Sequence, residues 1–98
     1  MRLDEVLAIL QAHIDELRSR NVRSLSVFGS VARDEATAES DVDLLIEFEE
    51  GAVVGLFEFI RLQHYLQDIL GCKVDLKTLG GLRRKIREHI LSEAVRAA

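Results

Sequence analysis

The chain has 98 residues, 48% hydrophobic and 31% charged, with a formal net charge of -4. That is the size and balance of one domain, spanning residues 1–98, and it lacks the basic excess of a protein held on nucleic acid by phosphate contacts. A lone cysteine, Cys72, excludes an internal disulfide and favours a reducing cytoplasm, and no apolar run reaches the roughly 20 residues needed to span a bilayer.

Leu3, Val6, Leu7, Leu10, Ile14 and Leu17 recur at helical spacing, which predicts an amphipathic helix from Leu3 to Ser19. Ser24 to Phe28 reads as a short strand that Gly29 stops. The polar segment Ser30 to Ser40 has room for a short helix around Val31 to Arg33 and a loop. Val42 to Phe48 carries the clearest strand pattern, with Val42, Leu44, Ile46 and Phe48 alternating with Asp43, Leu45 and Glu47. Gly55 to Leu70 predicts a second long helix, with Leu56, Phe59, Ile60, Leu62, Leu66 and Leu70 available to the core and Gly71 placed to end it. Cys72 to Leu76 reads as a third strand, Gly80-Gly81 as a turn, and Leu82 to Val95 as a last helix whose apolar residues fall mostly on one side. Strands interleaved with helices give an α/β fold, a small mixed β-sheet with flanking helices.

The chemistry is concentrated in two segments, Phe28-Gly29-Ser30-Val31-Ala32-Arg33 and Ser40-Asp41-Val42-Asp43-Leu44. Asp41 and Asp43 are two residues apart at the start of a strand, so alternation turns both carboxylates to one face. Two ionised carboxylates so close repel each other, and a hard divalent cation, Mg²⁺ or Mn²⁺, resolves the conflict. Glycine after a strand lets backbone approach a ligand closely. Ser30 adds a hydroxyl, the amides that follow are phosphate donors, and Arg33 adds a permanent forked cation. Together these describe a site for a metal-bound nucleoside triphosphate. Asp75, between Val74 and Leu76, points away from their face. It joins Asp41 and Asp43 if its strand lies beside Val42 to Phe48, either as a ligand of a second metal or as a base near the attacking hydroxyl.

A Gly-Ser pair, ten residues, then Asp-x-Asp resembles the signature of the nucleotidyltransferase superfamily that includes DNA polymerase beta. With four fixed residues at usual frequencies, the pattern arises by chance in about one chain in a thousand of this length. The short length, the Ser-Val-Ala-Arg continuation, the Ser-Asp-Val-Asp-Leu-Leu strand and the closing Ile-Arg-Glu-His-Ile-Leu-Ser-Glu-Ala-Val are more similar still to the minimal nucleotidyltransferase (MNT) family. Two positions depart from that family's pattern: Asp34 stands where glycine is frequent, and Lys77 where an apolar residue is common.

The resemblance implies a polymerase beta-like palm fold and transfer of a nucleoside monophosphate, AMP from ATP, to a hydroxyl acceptor. It implies Asp41, Asp43 and Asp75 as catalytic residues and ligands of Mg²⁺ or Mn²⁺, and Gly29, Ser30, Arg33 and Ser40 as nucleotide-binding residues. Many family members are antitoxins paired with a helical HEPN toxin, so the implied partner is a HEPN toxin and the implied acceptor one of its tyrosines, within a homo- or hetero-oligomer. The alternative is an antitoxin that neutralises its partner by masking it. The basic cluster Arg83, Arg84, Lys85 and Arg87 opens the last helix, where the dipole disfavours cations. It reads as a solvated face, or as a contact for an acidic partner surface or RNA.

Overall fold

The computed structural model describes residues 1–37 and 41–98. Its centre is a four-stranded sheet in the order β3-β2-β1-β4. Strand β1 (Val22–Phe28) runs antiparallel to β2 (Val42–Phe48), β2 runs parallel to β3 (Val74–Thr78), and β4 (Val95–Arg96) pairs antiparallel with β1. This is the mixed sheet that the sequence predicts.

The two faces of the sheet differ. Leu25, Val27, Val42, Leu44, Ile46, Val74 and Leu76 turn to one side and form the main core. Above them pack α1 (Leu3–Ala12), α2 (Ile14–Ser19) and α4 (Leu56–Leu70), which contribute Val6, Leu10, Leu17, Leu62, Leu66 and Leu70. Alternation sends Phe28, Asp43, Leu45 and Asp75 to the other side. Only part of that side is covered: Ile90 of α5 (Arg84–Glu93) closes over Phe28 and Leu45 in a small second cluster. The aspartates therefore sit on the thinly covered face.

Several elements differ from expectation for identifiable reasons. The first helix breaks at His13. Its amide turns to Leu10 O (3.2 Å), and its ring Nδ1 takes the Ile9 carbonyl instead (2.8 Å). Strand β3 starts at Val74 rather than Cys72, which lies half-buried before the strand. Two glutamines of α4, one turn apart, fix this start: Gln63 Nε2 donates to Val74 O (2.9 Å), and Val74 N–H donates to Gln67 Oε1 (3.2 Å). The Gly80-Gly81 turn is part of a short 3₁₀ turn, Leu79–Gly81.

The last helix is shorter than predicted, and the tail it releases becomes β4. Residue Leu82 is extended before the helix and Ala94 is extended after it. Beyond β4 the tail continues along β1, with Ala97 N–H on Leu25 O (2.8 Å) and Leu25 N–H on Ala98 O (3.2 Å).

Two expected core faces are also smaller. In α4, Leu56 is 71% exposed and Ile60 37%; in α5, Ile86 and Leu91 are about half exposed. Helical periodicity marks an apolar stripe but not how far the neighbouring layer extends over it.

Candidate active site

The register of the sheet assembles the predicted residues. Phe28 is opposite Asp43 across β1/β2, and Asp43 is opposite Asp75 across β2/β3. Gly29, the residue after Phe28, thus stands beside the Asp43 carboxylate. The approach is so close that a Cβ built on Gly29 would collide with Asp43 Oδ2 and lie 3.0 Å from its Cγ. Gly29 also has φ 73°, a conformation that side-chain-bearing residues rarely adopt. Conformation and space both demand glycine here. The backbone then turns directly into α3 (Gly29–Ala32), which carries Ser30.

Asp41 lies just before β2 and is exposed, while Asp43 and Asp75 are half-buried. The Asp43 carboxyl is raised above the ordinary aspartate range, first by burial and then by the charges of Asp75 and Asp41; Lys77 and Arg33 pull it the other way. The three predicted carboxylates therefore share one electrostatic environment. Lys77 belongs to it as well: its Nζ is 2.9 Å from Asp75 Oδ2. This lysine, placed where apolar residues are common in the MNT family, offsets part of the negative charge.

Arg33 is near enough to influence Asp43, and its side chain is held by two glutamates. Its Nε donates to Glu35 Oε2 (3.1 Å) and its Nη1 to Glu93 Oε2 (3.0 Å), and these bonds keep it more firmly protonated than usual. Glu93, at the end of α5, also accepts the Gly29 N–H through Oε1 (3.1 Å). Its carboxyl is pulled below the ordinary range by the Arg33 hydrogen bond, with the Gly29 amide adding to the effect. Asp34, where glycine is frequent in the MNT family, has φ 59°. Aspartate is among the few residues that tolerate this region, and glycine needs no tolerance there. Ser40 lies outside the described residues.

The donors suit a hard divalent cation. Asp43 and Asp75 are in-register oxygen donors whose mutual repulsion a cation would relieve. Among the described residues, no three His, Cys, Asp or Glu side chains form a closed metal site. Mg²⁺ does not require one, because it completes its shell with water and substrate phosphate. A cleft of about 340 Å³ opens at the β3 edge, lined by Phe59, Leu76, Lys77, Thr78, Gly81 and Leu82, and shares Lys77 with the carboxylate cluster. None of the described candidate residues lines it.

Sequence reasoning missed Glu93 and Lys77 as members of this cluster. Lys77 carried a signal, since it is two residues from Asp75 on a strand and so shares its face. Glu93 lies in the closing segment that resembles the MNT family, but nothing in that segment shows that it reaches Gly29, 64 positions away.

A strand, a Gly-Ser turn and in-register aspartates thus meet on the open face of a mixed sheet. A nucleotidyltransferase domain model matches residues 10–97. The chain therefore belongs to the nucleotidyltransferase domain family. It is similar to the protein adenylyltransferase MntA of Thermococcus cleftensis, with 45% identity over 96 residues that cover 97% of this chain and 95% of the relative. The solved structure of a proposed minimal nucleotidyltransferase superposes with a TM-score of 0.81 at 39% identity, covering 97% of this chain and 95% of that one. A more distant structure, a tri-AMPylated Shewanella oneidensis HEPN toxin in complex with an MNT antitoxin, shares the fold with a TM-score of 0.66 at 16% identity, covering 94% of this chain and 71% of that one.

Proposed function

We propose that the chain transfers AMP from ATP to a tyrosine hydroxyl of a HEPN toxin partner in the cytoplasm, and that this modification is how it acts as an antitoxin. The observation that carries the reading is the register Phe28–Asp43–Asp75, which aligns two carboxylates on the open face of the sheet and brings the Gly29 backbone close against the first of them. The adenylyltransferase name of the Thermococcus relative and the AMPylated toxin in the Shewanella complex support the same group and acceptor.

In the reaction a bond forms between the acceptor oxygen and the α-phosphorus, and the bond to pyrophosphate breaks. Asp41, Asp43 and Asp75 would hold Mg²⁺ or Mn²⁺, which supplies charge neutralisation at the attacking and leaving oxygens. Gly29 lets the backbone come close to the phosphates. Ser30 offers a hydroxyl, Arg33 a cation and Ser40 a further polar contact. Asp75 stands farthest from the Gly-Ser turn in the row, which suits the acceptor side, where it completes the metal shell or takes the hydroxyl proton. The open face leaves the acceptor surface to the partner.

A second reading, neutralisation by masking, is favoured by one observation. Val53, Leu56 and Phe57, just before and at the start of α4, are 95%, 71% and 74% exposed apolar side chains. Substituting Asp41 and Asp43 by asparagine separates the readings. If neutralisation is enzymatic, the double variant still binds the toxin but leaves it active; if neutralisation is by masking, the variant protects as well as the wild type.

A further inference from the structure

We propose that Glu93 is the positioning residue of the nucleotide-binding loop, fixing the Gly29 amide and the Arg33 guanidinium from the end of α5; this rests on the nucleotidyltransferase reading above. One carboxylate does both jobs. Oε1 accepts the Gly29 N–H at 3.1 Å, and Oε2 accepts Arg33 Nη1 at 3.0 Å. The side chain is only 16% exposed, whereas Arg33 is 44% exposed, so the anchor is the better-packed partner. Its backbone is held in turn, because α5 lies against the sheet through Ile90 and the chain then continues into β4, paired with β1. The strand that leads into the loop is therefore tied at both ends of the connection, through β1/β4 pairing and through Glu93.

The physical need is clear. Gly29 has φ 73° and no side chain, so nothing of its own restrains it. Arg33 is a long side chain with many rotamers, and ordering it costs entropy. Two charge-assisted hydrogen bonds from one anchored carboxylate organise both groups before ATP arrives. A loop that reaches its competent form only part of the time binds more weakly by that fraction but reacts normally once occupied. Loss of Glu93 therefore raises the ATP concentration required and leaves the rate at saturation nearly intact.

The test uses the full chain, with Mg²⁺ and ATP as the probe. Calorimetric titration gives Kd, and transfer assays with the toxin give KM and kcat. Glu93→Ala is expected to raise Kd and KM about tenfold or more while kcat stays within about threefold. Glu93→Gln keeps an acceptor for Gly29 but cannot accept from Arg33, so its effect is smaller, and it adds nothing in an Arg33→Met background. Circular dichroism checks folding; if the alanine variant does not fold, the glutamine variant and its Arg33→Met cycle decide. An unchanged Kd overturns the proposal. So does a tighter one, since Glu93 would then be competing with phosphate. Absence of Mg²⁺–ATP binding by the wild type overturns both this proposal and the reading beneath it. ATP binding that responds to Glu93, without transfer to the toxin, overturns only the transfer reading.

Discussion

The close approach of Gly29 to Asp43 predicts how a methyl group at this position will behave. Gly29 and Gly71 have nearly equal φ, 73° and 71°, but different surroundings. A Cβ on Gly71 meets nothing within 4 Å, whereas one on Gly29 strikes Asp43 Oδ2 and lies 3.0 Å from Cγ and 3.3 Å from Cβ. Gly71→Ala thus reads the backbone penalty alone, about 1–2 kcal/mol for a left-handed non-glycine residue. For a domain of this size that lowers Tm by roughly 4–16 °C. Gly29→Ala carries the same penalty plus the cost of displacing the carboxylate, about 1–3 kcal/mol on the scale of overpacked sites. Thermal unfolding followed by circular dichroism measures both. In an Asp43→Ala background the excess cost at Gly29 shrinks, leaving only the tight 3.3 Å Cβ contact. Equal losses for the two glycine variants, or an excess that persists unchanged without the Asp43 carboxylate, would refute the account of the Gly29–Asp43 contact.

Asp43→Asn should stabilise the metal-free chain while abolishing transfer. The raised pKa of Asp43 means that its ionised form opposes folding above that pKa; the penalty is full at neutral pH and fades as pH falls through the carboxylate range. A melt in chelator should accordingly show a Tm gain for the Asp43→Asn variant at pH 7 that disappears in acid. Glu93 has the opposite sign: its depressed pKa contributes stability at neutral pH that is lost as pH falls through its folded value. The Tm deficit of Glu93→Gln should therefore be largest near neutrality and vanish in acid. In α4, Leu66→Ala at a fully buried position should cost about 2–5 kcal/mol, and Leu56→Ala at a 71% exposed one less than about 0.5 kcal/mol, by denaturant unfolding.

Much of the candidate site is legible because it is written in short-range patterns. The alternation of Val42 to Phe48 predicts β2 with its observed bounds, and Gly71 ends α4 with φ 71° as a helix-ending glycine should. The placement of Asp75 beside Asp43 rests on one topological condition, that its strand lies beside β2; the two strands do pair, in parallel, with Asp43 opposite Asp75. What escaped has no local period. Two residues, Val95 and Arg96, are too few to show alternation, so the apolar spacing carries the predicted helix on to Val95, where β4 begins. The break at His13 depends on a ring nitrogen taking a backbone carbonyl, which the apolar spacing through Leu10 and Ile14 does not reveal. Exposure of Leu56, Ile60, Ile86 and Leu91 depends on which neighbours pack over each helix, a tertiary fact that helical spacing does not carry. Glu93 acts across the whole molecule, and its role appears only when α5 is laid against β1.

The most direct test of the proposed function is the mass of the toxin after incubation with this chain, labelled ATP and Mg²⁺. The account predicts a gain of one or more AMP units on a toxin tyrosine, absent with the Asp41→Asn, Asp43→Asn double variant. A toxin neutralised with no change in mass would contradict it and make masking the function of the complex.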